Sequence, residues 1–312
     1  MKAFLFFAFF ILALTSFSQT PVDKLKHAKQ LRDEEKYAQA LQEVNQLIAK
    51  DSKNSDFYDF RAEIYYKLRK HNESIDDYTK AISLSPNDPI YYHHRAILFY
   101  AVQEPDLAIE DNNMALKFIT NNDTLKYGII ANRGNAWQMK REFGKAYDDY
   151  MQAYAFDSTD VAILTNLGSV LDELGKADEA IRILKKVILL YPDEVGGYGN
   201  LAFQYMQMGR YKEALELNNK VLQINPKDPL GYNNRGFVKY KLNDLKGAME
   251  DVNHSLQIYP ANSYAYKNRA LIYIALKQNA KACEDLKKAV DYGFTEMYGE
   301  EVSQLQTKYC AK

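Results

Sequence analysis

The sequence predicts an all-α protein built as a tandem array of helical hairpins, and three observations carry that prediction. The phrases Ala180-Ile181, Ala214-Leu215, Ala248-Met249 and Ala282-Cys283 follow one another at intervals of 34 residues. Two fixed positions within that period hold only small residues. Proline recurs at a third fixed position, near the end of the period, where it stops a helix because it lacks the donor needed to continue one.

The first 18 residues stand apart from the rest. Lys2 is followed by an apolar run from Ala3 to Leu14 and by Ser16-Phe17-Ser18, the layout of a secretory signal peptide with cleavage before Gln19. The run holds about twelve apolar residues, against the roughly 20 needed to span a bilayer. No later segment is long and apolar enough to cross a membrane, so the cleaved protein is expected to have no stable membrane span. The expected location is outside the cytoplasm, periplasmic or extracellular.

Numbering a repeat from 1 to 34, eight repeats follow at 21–54, 55–88, 89–122, 127–160, 161–194, 195–228, 229–262 and 263–292. Four residues, Asp123 to Lys126, interrupt the register once. Position 8 reads Ala28, Ala62, Ala96, Gly134, Gly168, Ala202, Gly236, Ala270, and position 20 reads Ala40, Ser74, Ala108, Ala146, Ala180, Ala214, Ala248, Ala282. Two helices approach closely only where neither presents bulk at the crossing, so these positions mark the contact inside each hairpin. Larger apolar residues surround it, such as Phe99, Trp137 and Tyr205 at position 11 and Tyr78, Tyr150 and Leu184 at position 24. Proline at position 32 (Pro86, Pro192, Pro226, Pro260) ends the second helix. The tail, 293–312, carries Met297, Val302, Leu305 and Tyr309 at roughly helical spacing. It is expected to form one amphipathic capping helix over the last repeat, whose outer face stacking leaves uncovered.

Small residues at 8 and 20, aromatics at 4, 11, 17 and 24 and proline at 32 resemble the tetratricopeptide repeat (TPR), and the resemblance runs through nearly the whole chain after residue 20, as in an exported bacterial TPR protein. It implies a TPR-type α-solenoid, a right-handed superhelix whose first helices line a concave groove, and a protein that acts as a scaffold or peptide receptor rather than an enzyme.

Position 7 is Arg in five repeats (Arg61, Arg95, Arg133, Arg235, Arg269), and the same five carry Asp77, Asp111, Asp149, Asp251 and Asp285 at position 23. Where position 7 is Leu167 or Leu201, position 23 is Ile183 or Leu217. Charge goes with charge and apolar with apolar, which predicts that positions 7 and 23 meet as an ion pair, within a hairpin or between neighbours.

Position 6 carries Asn132, Asn166, Asn200, Asn234 and Asn268 in five successive repeats. By the family resemblance this position faces the groove, where a carboxamide offers both donor and acceptor to a peptide backbone; the alternative is that each bonds a neighbouring helix. Repeat two adds an acidic and aromatic mouth, Asp56, Asp59, Glu63 and Tyr66. Repeats six to eight add Phe203, Met206, Leu230, Phe237, Tyr240, Tyr264, Leu271 and Ile274, an apolar patch of the kind that marks a binding surface when exposed. Expected peptide contacts are therefore the five asparagines with Phe203, Phe237, Tyr240, Tyr264 and Leu271. The set that grips chaperone tails in part of the family is missing: Asn135 stands at position 9, but Ala131 is at 5 and no repeat has a basic residue at 2.

Cys283 and Cys310 are the only cysteines, and export favours their pairing as a structural disulfide; two free buried thiols are the alternative. The five histidines are scattered and show no metal-ligand spacing, no phosphate loop occurs, and no glycine precedes Gly128. No metal, cofactor or catalysis is expected. Forty basic and 41 acidic residues, interspersed, make nucleic acid an unsuitable partner. The expected function is a non-enzymatic scaffold binding a peptide or protein segment in the groove. The alternative is a structural spacer or assembly subunit of a cell-envelope complex, working through its convex face and ends.

Overall fold

The computed structural model describes residues 20–120 and 123–310; the signal-peptide segment, 1–18, lies outside the described residues. Eighteen helices and no strand occur among them. The chain divides into two compact units, Met1–Asn132 and Arg133–Lys312.

In the N-terminal unit, α1 (Pro21–Asp33), α2 (Tyr37–Lys50), α3 (Ser55–Lys67), α4 (His71–Leu84), α5 (Pro89–Ala101) and α6 (Pro105–Phe118) pack each on the next. The following helix, α7 (Asp123–Met139), absorbs the four interrupting residues as an extra turn and has 17 residues where other first helices have 13. The C-terminal unit continues with α8 (Phe143–Phe156), α9 (Val161–Glu173), α10 (Ala177–Leu190), α11 (Val195–Gln207), α12 (Tyr211–Ile224), α13 (Pro229–Lys241), α14 (Leu245–Ile258), α15 (Ser263–Ala275) and α16 (Asn279–Asp291).

Six first helices start on a side-chain acceptor from the end of the preceding repeat. Asn54, Asp88, Asp160, Glu194, Asp228 and Asn262, all at position 34, accept from backbone N–H groups of the first turn, satisfying donors that lack intrahelical partners. Each hairpin turns through one residue at positive φ, at position 15 every time: Glu35, Arg69, Gln103, Arg141, Gly175, Gly209, Asn243 and Lys277. The next N–H reaches back to close the helix end, as from Lys36 N to the Leu31 carbonyl at 2.8 Å, the left-handed cap common at helix C-termini.

The small positions meet as their chemistry requires. Ser74 Oγ donates to the Ala62 carbonyl at 2.8 Å, joining positions 20 and 8 directly. A Cβ on Gly168 would lie 2.5 Å from Leu184 Cδ2, and one on Gly236 2.6 Å from Val252 Cγ2 and 3.1 Å from the Ala248 carbonyl oxygen. Around these contacts Val44, Ile64, Leu98, Tyr150, Leu184, Val252 and Leu286 are fully buried or nearly so.

The tail differs from the expected single helix. It forms two short helices, α17 (Phe294–Tyr298) and α18 (Glu301–Tyr309), because Gly299 at φ +78° interrupts the helical path. Phe294 and Val302 are completely buried and join Leu286, Ala289 and Ile272 in the terminal core. The Cys283–Cys310 disulfide ties α16 to the end of α18.

Candidate functional site

The Arg–Asp pairs form within each hairpin. In all five, Arg Nε and Nη2 donate to the two carboxylate oxygens of the Asp sixteen residues on, at 2.7 to 2.8 Å. The third guanidinium nitrogen bonds position 25 of the preceding repeat in four cases: Asn45, Thr79, Asn219 and Asn253, at 2.7 to 3.1 Å. Four of the five arginines thus fasten both their own hairpin and the neighbouring one. The aspartate side chains are only 4 to 7% exposed. Hydrogen bonds donated to Asp77, Asp251 and Asp285 hold the Arg61, Arg235 and Arg269 guanidinium groups above their ordinary range. At Asp111 burial pushes the carboxyl up despite its bonds from Arg95. These residues brace the fold and leave no vacancy for a ligand.

The asparagine row divides. Asn132 accepts from Asn112 Nδ2 at 2.7 Å, Asn166 donates to Asn135 Oδ1 at 3.0 Å, and Asn268 donates to Asn233 Oδ1 at 3.0 Å. Asn268 is also buried, at 1% exposure, which corrects its assignment as a peptide contact. The bonds from Asn166 and Asn268 show the register: position 6 of one repeat reaches position 5 or 9 of the repeat before. For Asn234 those places hold Gly199 and Phe203, which accept nothing, and its carboxamide has only a 3.5 Å contact from Asn233. Asn200 follows Thr165 and Ser169, and among the described residues its carboxamide has no partner.

The apolar patch divides as well. Phe203 and Leu230 stay open, at 38% and 57% exposure. Tyr264, expected to contact a peptide, is covered by the tail instead: Phe294 lies 5.7 Å and Tyr298 5.0 Å from it, ring centre to ring centre. Tyr240 and Ile274 pack on the same terminal core, beside Leu305 and Cys310, and Leu271 is half-buried. Phe237 is half-buried too, with Lys241 5.3 Å and Lys267 5.5 Å from its ring centre. Lys267 was not singled out by its sequence position. It is 3% exposed, its ammonium bonded to Glu301 of the tail at 3.0 Å and lying over Tyr264 at 4.8 Å. Burial draws this ammonium below its ordinary range, and Glu301 acts against that. Nothing in the sequence of α15 signals this burial, because the covering residues lie some thirty positions downstream.

In the N-terminal unit the acidic mouth is real but internally engaged. Glu63 pairs with Arg32, Asp59 with His94 at 3.3 Å, and the Tyr91 hydroxyl donates to Asp56 at 2.9 Å. Beside Arg32, Glu63 and His94 opens a cavity of 420 Å³, which Tyr66 and Tyr78 also line. Neighbouring His93 is buried, and desolvation chiefly, with the adjacent His94, lowers its pKa to about 4. No group of three or more His, Cys, Asp or Glu side chains among the described residues is placed to hold a metal ion. No described helix is long and apolar enough to cross a membrane.

Three segments match tetratricopeptide repeat family models: residues 62–103, 173–233 and 263–292. The hairpin geometry and these matches agree, and the chain belongs to the tetratricopeptide repeat family, an all-α assembly of the TPR solenoid class. No curated protein sequence matches it. Among solved structures it resembles a tetratricopeptide repeat protein from Parabacteroides merdae (TM-score 0.69, 18% identity, 81% of this chain and 98% of that one). It also resembles a chain of the APC/C hetero-tetramer Cut9–Hcn1 (TM-score 0.65, 14% identity, 93% and 56%). A third likeness is the C-terminal part of a TPR repeat-containing protein from Cytophaga hutchinsonii (TM-score 0.53, 21% identity, 77% and 97%). At these identities the likeness is one of fold.

Proposed function

We propose that the protein is a non-enzymatic scaffold, exported from the cytoplasm, that holds a peptide or protein segment on the first-helix faces of α11 and α13. The family supports a role in protein–protein interaction; the place rests on one observation. Among the described residues the Asn200 carboxamide has no partner and that of Asn234 has only the 3.5 Å contact from Asn233, and they lie in the same two helices as the exposed Phe203 and Leu230. By the register of the Asn135–Asn166 bond, Phe203 adjoins Asn234. A segment laid there would have its backbone groups satisfied by the carboxamides and an apolar side chain covered by Phe203 and Leu230. The Cys283–Cys310 disulfide supports export, since such bonds persist in oxidising compartments.

The reading of the chain as a spacer or assembly subunit draws its support from the last two repeats, where the tail occupies the face that would otherwise be open. Affinity capture from the envelope fraction, with wild type and a Phe203→Ala/Asn234→Ala variant, tests the proposal. Loss of a specific partner with the variant supports binding at α11 and α13; retention of every partner moves the site elsewhere.

A further inference from the structure

Four of the five Arg–Asp braces reach between consecutive second helices, and the C-terminal unit shows what happens where the brace is absent. In repeat five the three brace positions, 7, 23 and 25 of the repeat before, read Leu167, Ile183 and Met151 instead of Arg, Asp and a polar acceptor. Leu167 and Ile183 are shorter than an arginine spanning to an aspartate, and a hollow of 310 Å³ remains between α8 and α10 with α9 beneath it. Leu167 and Leu171 form part of its floor at 0 and 2% exposure, and Met151 stands at its edge, 39% exposed. Repeat six also lacks the brace, yet its Leu201 and Leu217 are drawn into a core cluster with Tyr205 and Val238, so the opening belongs to repeat five.

The rim carries two cations that form no ion pair among the described residues, although the Asp157 carboxylate, held below its ordinary range by bonds from Thr159, is also acted on through space by Lys186. Lys186 donates to the Tyr154 hydroxyl at 3.0 Å and the Ser158 carbonyl at 2.7 Å, both neutral oxygens. Arg182, exposed beside it, has no carboxylate within ion-pair distance among the described residues. Glu179 is the single carboxylate lining the hollow. An apolar floor under two cations selects a ligand with an apolar side chain and adjacent negative charge, since burying the first is favourable and the second meets opposite charge at the edge.

We propose that this hollow is a second binding site, independent of the α11–α13 face, which takes an apolar side chain of a partner polypeptide flanked by acidic residues. The probe is a fluorescein-labelled peptide, Asp-Glu-Leu-Phe-Glu-Asp, titrated by anisotropy at two salt concentrations against the full chain. Binding that weakens with salt is expected, with the Lys-Arg-Leu-Phe-Arg-Lys counterpart at least about tenfold weaker. A Met151→Asn/Leu167→Arg/Ile183→Asp variant installs the brace found in four other repeats. It should weaken binding by about tenfold or more, while Arg182→Glu, a surface change, should weaken it by about fivefold. The proposal is overturned if the acidic peptide does not bind wild type at millimolar concentration, or if the brace-restored variant binds it as wild type does. Should that variant fail to fold, unchanged binding by Arg182→Glu overturns the proposal on its own.

Discussion

Replacing Asp77 by alanine tests the brace that ties the second hairpin to the first. The change removes two charge-assisted bonds of 2.7 Å and leaves the Arg61 guanidinium with Asn45 alone, in a site where the arginine side chain is 21% exposed. Deleting one partner of a buried ion pair costs about 3 to 5 kcal/mol. The partial exposure of Arg61 lets water recover part of that, so about 2 to 3 kcal/mol is expected, lost from the N-terminal unit. Arg61→Leu/Asp77→Ile, which copies the apolar pair the chain itself uses at Leu167 and Ile183, removes both charges together. It should stay within about 1 kcal/mol of wild type, because an ion pair and a well-packed apolar pair are often close in net stability. Urea unfolding followed by far-ultraviolet circular dichroism measures both. A single variant that loses less than about 0.5 kcal/mol, or a double variant as unstable as the single one, would refute the reasoning that the aspartate is needed to neutralise the arginine.

The N-terminal unit should weaken in acid through His93. Its folded pKa of about 4 lies below the ordinary 6.5, so the unfolded chain binds the extra proton between those values, and stability present above pH 6.5 falls as pH drops toward 4. The loss approaches about 3 kcal/mol, and His93→Gln should remove that part of the pH dependence in urea midpoints; an unchanged slope would sink the assignment. Opening the disulfide with Cys310→Ser frees a 27-residue separation, worth about 3.5 kcal/mol in the chain-entropy model, and should make the chain beyond Gly293 sensitive to limited proteolysis; equal resistance would mean the tail holds without it. Gly236→Ala should destabilise by about 1 to 2 kcal/mol through overpacking. Gly199→Ala, with nothing within 4 Å of the new Cβ, should stabilise by up to about 1 kcal/mol in thermal melts; the same sign at both sites would contradict the close approach at position 8.

The period and the brace were legible in the sequence because each is enforced by a recurring contact, the first in every hairpin and the second in five of the eight. Small residues recur where backbones touch, and Arg and Asp vary together because neither tolerates the other's absence. The positive-φ turn at position 15 was not legible: Glu35, Arg69, Gln103, Arg141 and Lys277 carry no turn signature, and the helix-closing bonds rather than residue type impose the conformation. The caps at position 34 left a signal in Asn54, Asp88 and Asp228 that becomes plain only once the helix starts are known. The asparagine row shows why a candidate site is harder to read than a core. Whether a carboxamide is free depends on the residues at positions 5 and 9 of the preceding repeat: Asn135 and Asn233 engage their neighbours, whereas Gly199 and Phe203 cannot. Tyr264 and Lys267 were misplaced or missed because the tail, broken at Gly299, folds onto them, and no periodicity encodes that contact.

Photo-crosslinking from the proposed face tests the central claim most directly. A benzophenone amino acid placed at Phe203, and separately at Val290 on α16, which is about equally exposed, is activated in the envelope fraction and the adducts are identified by mass spectrometry. The proposed binding at α11 and α13 predicts a discrete polypeptide adduct from position 203 that is absent from position 290 and is reduced by Asn234→Ala. No adduct from position 203, or the same adducts from both positions, would contradict it.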